Sequence, residues 1–259
     1  MILDDIIKIK ELEVEKLKEA YKGKDIDKLA TILPKPRDFY KAFKKGKLSL
    51  IAEIKKASPS AGVIRQNFDP TYLAKTYEDS GASALSVLTD RKFFMGALEH
   101  LKAAKESTTI PVLRKDFIID GSQLYESRIA GADAILLIVR ILSDAQLKDF
   151  LAKAEDLGLA VLVEVHSKDE AKKALSAGAK VIGINNRDLS NFTVDIRTTA
   201  NIIKALPEIK DRVIISESGI ATKEDVKLLK DAGVNGILVG EGILTSRDIS
   251  KKIQELLGN

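Results

Sequence analysis

Cysteine is absent from this 259-residue chain. That excludes a disulfide framework, a thiolate zinc site and a thiol nucleophile, and it fits a reducing cytoplasmic setting. Long hydrophobic runs are also missing. No stretch approaches the roughly 18 apolar residues of a membrane-crossing helix. The opening MILDDIIKIKELEVEKLKEAY is charged throughout, without the apolar core and small-residue cleavage site of a signal peptide. Histidine occurs only twice, as His100 and His166, and neither stands at metal-ligand spacing from carboxylates, so no metal is expected. No G-x-G-x-x-G follows the first strand-like run, which argues against a dinucleotide-binding sheet. Charge of one sign is not in excess either. The 42 basic and 38 acidic residues leave +4, and no basic stripe with interleaved aromatics points to nucleic acid. The charged fraction of 31 %, with two methionines, is a composition seen in thermophilic proteins.

What the chain does have is alternation. Short β-branched runs are separated by longer amphipathic stretches: LSLIAEIK (48–55), ALSVLT (84–89), IPVLRKDF (110–117), AILLIV (134–139), AVLVEV (160–165), VIGIN (181–185), RVIISES (212–218) and GILVG (236–240). Several are apolar throughout, as strands covered on both faces should be. Eight such runs, each leading to a helical stretch, predict parallel strands with crossover helices. SGASALSVL, AGADAILLI, AGAKVIGI and AGVNGILVG form a weak internal repeat, with Gly81, Gly131, Gly178 and Gly233 as helix-ending residues of positive φ. The repeat falls on every second run. An even set of eight with that period favours a closed (β/α)₈ barrel, whose usual length is about 250 residues. The predicted organisation is one domain: a helical extension over 1–47, with helices near 3–21 and near 36–45 opened by Pro36-Arg37-Asp38, then the barrel over 48–259. The extension reads chiefly as packing or a plug for the barrel; the alternative is a cap at its mouth.

The ionisable residues repeat a position. Residues two apart on a strand share a face. Ile51, Glu53 and Lys55 share one; so do Leu113 and Lys115, Leu162 and Glu164, Gly183 and Asn185, and Ile215 and Glu217, with Arg187 and Ser218 just beyond. Apolar residues come first and charged ones last on each strand. A single such residue reads equally well as a rim ion pair, but the same placement on five strands does not. Active sites of these barrels lie at the C-terminal ends of the strands. Converging charges of both signs let some groups stay ionised while others are displaced, which acid–base chemistry requires. The glycine-bearing turns Ser216-Glu217-Ser218-Gly219-Ile220 and Val239-Gly240-Glu241-Gly242 follow the last two strands, where such barrels hold phosphate with backbone N–H groups. His100 falls in a helical stretch. His166, two residues after Glu164, is a candidate supporting group.

Taken in order, Ile51-Ala52-Glu53-Ile54-Lys55-Lys56-Ala57-Ser58-Pro59-Ser60, Leu113-Arg114-Lys115-Asp116-Phe117-Ile118, Val163-Glu164-Val165-His166, Gly183-Ile184-Asn185-Asn186-Arg187-Asp188-Leu189, Ser216-Glu217-Ser218-Gly219-Ile220 and Val239-Gly240-Glu241 closely resemble indole-3-glycerol phosphate synthases over nearly the whole chain. The resemblance implies a substrate, 1-(2-carboxyphenylamino)-1-deoxyribulose 5-phosphate. It is converted by ring closure, decarboxylation and dehydration to indole-3-glycerol phosphate in tryptophan biosynthesis, without a cofactor. By motif, Lys115 is similar to the general acid of ring closure, and Glu164 to the acid–base partner of dehydration. Lys55 is similar to a lysine that meets the substrate's anionic groups. Glu53, Asn185 and Glu217 would orient these groups and stabilise positive charge. Ser58, Arg187, Ser218, Gly219, Gly240 and Glu241 would line the substrate and phosphate sites, with Phe94, Phe117 and Leu136 as an apolar wall for the aryl ring.

Two positions depart from the commonest family pattern: Ala61, where lysine is frequent, and Met95, where a polar residue is frequent. They bear on the loops and on substrate affinity, not on the reaction class. The expected partner is a small phosphorylated molecule; nucleic acid and membranes are not expected, and a monomer is. Among competing readings, a phosphoribosylanthranilate isomerase needs a cysteine that is absent here. A Schiff-base aldolase would use Lys55 or Lys115 as nucleophile. A non-catalytic ligand-binding barrel would be expected to lose part of the charged set.

Overall fold

The structure is a computed structural model that describes residues 2–43, 48–188 and 193–258. Eight parallel strands close into a barrel: β1 (Ser49–Ile54), β2 (Ala84–Leu88), β3 (Val112–Lys115), β4 (Ala134–Ile138), β5 (Ala160–Val165), β6 (Val181–Asn185), β7 (Val213–Glu217) and β8 (Gly236–Val239). Each pairs with its neighbours in chain order, and β1 closes the ring by pairing with β8, Ile51 opposite Leu238. Each predicted run is one of these strands.

Alternation along the strands divides the core in two. One set of side chains fills the barrel itself, including Ile51, Leu113, Leu162 and Ile215. The other packs outward against the helices, including Leu50, Leu85, Ile135, Val163 and Ile182. Both sets are almost completely buried, which explains why the strands read as continuous apolar runs. Several crossover helices begin on matched caps. Ser143 and Gln146 form a reciprocal capping box at helix Asp144–Asp156, and Thr222 and Asp225 do so at Lys223–Ala232. Gly81, Gly131, Gly178 and Gly233 all have positive φ, between 88° and 102°, in the turns that return to the strands.

The extension differs from expectation in its second half. Helix α1 (Ile2–Tyr21) is present, and a short helix α2 (Ile26–Thr31), capped by Asp25, was not foreseen. The helix expected near 36–45 is not formed: the only helical turn there is a 3₁₀ turn, Tyr40–Ala42, while residues 44 and 45 lie outside the described set. Tertiary bonds take the backbone that a helix would need. The Arg37 N–H donates to Asp133 Oδ1, and its guanidinium donates to the carbonyls of Ile110 and Lys105, each at 2.9 Å. This pins an extended chain under the barrel, where buried Phe39 and Phe43 stack edge to face at 5.2 Å and join the barrel-filling cluster. That segment is the plug. Helix α1 lies at the opposite end: Ile2, Leu3 and Ile6 line the cavity at the C-terminal mouth. The extension therefore both plugs and caps.

Among the described residues, no helix is long and apolar enough to cross a membrane.

Candidate active site

The cavity at the C-terminal ends of the strands has a volume of about 460 Å³. Glu53 enters it from β1 and Lys55 from just beyond that strand, Lys115 from β3, Leu136 from β4, Glu164 from β5, Asn185 from β6 and Glu217 from β7. Ser58, Phe94, Arg187, Ser218, Gly219, Gly240 and Glu241, from the segments that follow the strands, complete its wall. All the site residues expected from the sequence thus meet in one cavity. Phe117 joins them, its ring 6.1 Å from that of Phe94, and Ile138 and Ile6 extend this apolar side.

Lys115 is the centre of the charged side. Its Nζ lies 3.4 Å from Glu164 Oε2 and 3.5 Å from Glu217 Oε2. Burial penalises an ammonium, but the charges of Glu164, Glu217 and Glu53 more than offset that and hold Lys115 protonated well above the ordinary lysine range. Glu53 is paired with Lys55 at 2.9 Å, and Lys55 and Lys115 together outweigh its burial and keep it ionised. The two remaining carboxyls differ. Burial would raise Glu164, but Lys115 and His166 pull it far below the usual carboxylate range. Glu217 is raised instead, to about 8: burial is the main cause, Lys115 opposes it, and the nearby charges of Glu164 and Glu53 add to it. The arrangement is one proton-holding carboxyl, one ionised carboxylate and an ammonium between them.

Two glycines make room for these acids. A Cβ on Gly183 would overlap Glu217 Oε1, and one on Gly240 would overlap Glu53 Oε1. Gly183 stands where the face alternation of β6 calls for a side chain, and the carboxyl of Glu217 fills that space instead. The turn after β7 is held in an unusual shape. Ser218 adopts φ 68° and Gly219 φ 77°. Asn186 fixes it: its Nδ2 donates to Ser216 Oγ and to the Ser218 carbonyl, each at 3.0 Å, while its Oδ1 accepts from Thr199. Asn185 accepts from the Arg187 N–H at 3.0 Å. Leu189, the last residue of that motif, lies outside the described residues. Ser58 Oγ accepts from the Ala61 N–H at 3.2 Å, in a two-stranded hairpin of Ala57–Ser58 with Gly62–Val63.

Sequence reasoning missed a buried cation behind the aromatic side of the cavity. Lys10 of α1 is 2 % exposed; its Nζ is 3.0 Å from Asp90 Oδ2 and 2.8 Å from Asp116 Oδ1. Asp90 Oδ1 also caps Phe93 N at 2.7 Å, and Asp116 Oδ1 accepts from Phe117 N at 2.8 Å. One ammonium therefore ties the helix to both loops that carry Phe94 and Phe117. The available signal was a lysine on the apolar face of α1, at the spacing of Ile6 and Val14.

The family model described as "Indole-3-glycerol phosphate synthase" matches residues 3–256. The chain belongs to the indole-3-glycerol phosphate synthase family. Relatives bearing that name include the protein of Desulforamulus reducens, 48 % identical over 99 % of this chain and 97 % of its own length, and that of Acetivibrio thermocellus, 49 % identical over 98 % of each. The protein of Caldanaerobacter subterraneus is 50 % identical over 94 % of this chain and 93 % of its own. Among solved structures, thiamine phosphate pyrophosphorylase from Pyrococcus furiosus superposes with a TM-score of 0.59 at 18 % identity, covering 81 % of this chain and 93 % of its own. That likeness speaks for the barrel fold alone. As a synthase-family barrel, the chain is an enzyme of the carboxy-lyase class with a phosphorylated small-molecule substrate. Within the synthase frame, Met95 closes the short helix Arg91–Phe94 in the left-handed region, at φ 50°.

Proposed function

We propose that this protein converts 1-(2-carboxyphenylamino)-1-deoxyribulose 5-phosphate to indole-3-glycerol phosphate, with Lys115 as the proton donor of ring closure. The observation that carries the reading is the ammonium of Lys115 between two buried carboxyls of opposite state, facing a cavity with an aromatic wall on one side and glycine-bearing turns on the other. The ring carbon bearing the carboxylate attacks the substrate ketone, whose oxygen becomes a hydroxyl and takes the proton of Lys115. The cation formed on the closing ring is stabilised by Glu53 and Glu164. Loss of CO₂ restores the aromatic ring. Glu164 then serves the dehydration, accepting the proton lost from the ring system, while the hydroxyl takes up a proton supplied from solvent and leaves as water.

Phe94, Phe117 and Leu136 would hold the aryl ring. Lys55, Ser58 and Arg187 would meet its carboxylate and the sugar hydroxyls. The backbone of Ser218, Gly219, Gly240 and Glu241 would take the phosphate, whose binding energy holds an extended chain in a bent reactive form. Asn185 and Glu217 would fix the position of Glu164 and Lys115. Extension and barrel, 1–259, act in this reading as one domain, a cytoplasmic monomer that binds neither nucleic acid nor membrane.

The test is the appearance of indole fluorescence when the purified protein meets the substrate without added metal. Lys115→Ala is expected to lower kcat by about 10²–10⁴-fold, the usual weight of a general acid, with KM little changed. Absence of product from the unaltered protein with substrate in excess overturns the reading.

A further inference from the structure

Behind Glu164 the barrel wall holds a second acid–base group that the proposed chemistry does not use. The side chain of His166, at the end of β5, is 3 % exposed. Its Nε2 lies 3.3 Å from Glu164 Oε1, an ion-pair contact rather than an aligned hydrogen bond, and its Nδ1 is hydrogen-bonded at 3.3 Å to Glu170 Oε2. Glu170, in the first turn of helix Lys168–Ser176, also accepts from the His166 backbone N–H at 2.7 Å and pairs through Oε1 with Arg140 Nε at 3.0 Å. A neutral imidazole has one N–H. Whichever nitrogen carried it, the other would turn a lone pair toward a carboxylate. Both ring nitrogens face carboxylate oxygens, so the ring that suits the site is the imidazolium.

The two oxygens of Glu164 are thereby divided. Oε1 faces His166 in the wall, and Oε2 faces Lys115 in the cavity. The other groups that act on this pair are Asn185 on β6, Glu217 on β7 and Glu53 on β1. Glu217 holds its proton and adds no charge, but the ionised Glu53 disfavours a second charge on Glu164. Without His166, only Lys115 and the hydrogen bond from Asn185 would offset it, and Lys115 is the group proposed to release its proton during the reaction.

We propose that His166 is a positioning residue, held as an imidazolium between Glu164 and Glu170, that keeps Glu164 ionised and its Oε2 directed into the cavity when Lys115 has given up its proton. The role assigned to Glu164 rests on the function proposed above; the charge of His166 does not. Burial works against the charged ring, but contact with Glu164 and Glu170 raises it to about 9, in line with the geometry.

With only two histidines in the chain, proton NMR of the imidazole C2–H resolves His166 directly, the signal being assigned by its loss in His166→Gln. In the unaltered protein the His166 signal should keep its imidazolium shift beyond pH 8, and Glu170→Gln should bring its midpoint down by a unit or more. A midpoint at or below 6.5, the ordinary histidine value, overturns the proposal whatever the enzyme turns over. Kinetics then test the link to Glu164. From pH 8 to 5 the kcat of the unaltered enzyme should hold, while that of His166→Gln should fall at least tenfold, with KM nearly constant. If His166→Gln fails to fold, Glu170→Gln takes its place in the same comparison. A variant profile parallel to that of the unaltered enzyme shows a merely structural histidine and overturns the positioning role. Loss of all turnover in the unaltered protein is a different result: it removes the proposed function and leaves the NMR outcome to decide the charge.

Discussion

Three single residues at or beside the site stand in unusual steric or backbone settings, and two make sharp predictions. Gly183 leaves space that the Glu217 carboxyl occupies. Gly183→Ala should therefore push that carboxyl away from Lys115, lowering kcat by more than tenfold and stability by about 1–3 kcal/mol, as overpacking does. Parallel kinetics and urea unfolding measure both; a wild-type kcat would mean that Glu217 has somewhere else to go. Met95 is the opposite case. It is 43 % exposed and sits at φ 50°, where a side chain with a Cβ and no local hydrogen bond is strained. Met95→Asn should stabilise by up to about 1 kcal/mol, read as a higher urea midpoint at unchanged slope. Ser218, the other described non-glycine residue with positive φ, is held by Asn186 and should not tolerate the same reasoning, since its conformation shapes the proposed phosphate turn.

At the scale of elements, legibility follows periodicity. The strands and their inward charges could be read because alternation is a local signal, and five strands repeat it. The glycines ahead of alternate strands could be read because one backbone conformation demands them. A plug and a cap were both readable as alternatives for the extension, but not which segment does which or the contacts that hold them. Pro36-Arg37-Asp38 resembles a helix start, yet Arg37 is claimed by Asp133, Ile110 and Lys105, contacts that no local pattern announces. Lys10 likewise reads as one more charge on a Lys-rich helix until Asp90 and Asp116 are brought beside it. Its removal should be costly. Lys10→Met leaves two buried acids without their shared cation, a change worth about 3–5 kcal/mol when a buried pair is broken. It also frees α1 from the loops carrying Phe94 and Phe117. The expected outcome is a large fall in thermal midpoint with KM raised more than kcat is lowered. If instead kcat falls at constant KM, α1 acts on the chemistry rather than on the wall formed by Phe94 and Phe117.

For the whole molecule, the same buried charges set the pH at which the fold is most stable. Asp116 is lowered from 3.8 to about 2: burial opposes this, and Arg114 and Lys10 outweigh it. Its contribution is therefore complete above the unfolded value and is lost as pH falls through 2. His166 is raised from 6.5 to about 9, so its contribution is complete below 6.5 and is lost as pH rises through 9. Glu217 runs the same way. The folded chain keeps a proton to about 8 that the unfolded chain releases at 4.5, so folding becomes less favourable across that interval. The acid losses, at Asp116 and Glu164, begin only below about 4.5, whereas the two alkaline losses begin at 4.5 and 6.5, so the maximum lies on the acid side of neutral. Thermal melts should give the highest Tm near pH 4.5–6.5, with a decline toward pH 9 that exceeds any between 6.5 and 4.5. By the size of the shifts, stability changes by roughly 2–5 kcal/mol across each group's interval, least for Asp116 and most for Glu217. The variants separate the contributions. His166→Gln should flatten the part of the decline above 6.5, and Glu217→Gln, neutral at every pH, should flatten the part that begins near 4.5. A Tm that rises steadily from pH 5 to 9 would mean that the site is not held together by these three groups in the states assigned to them, and the ionised Glu164 beside an imidazolium would fall with it.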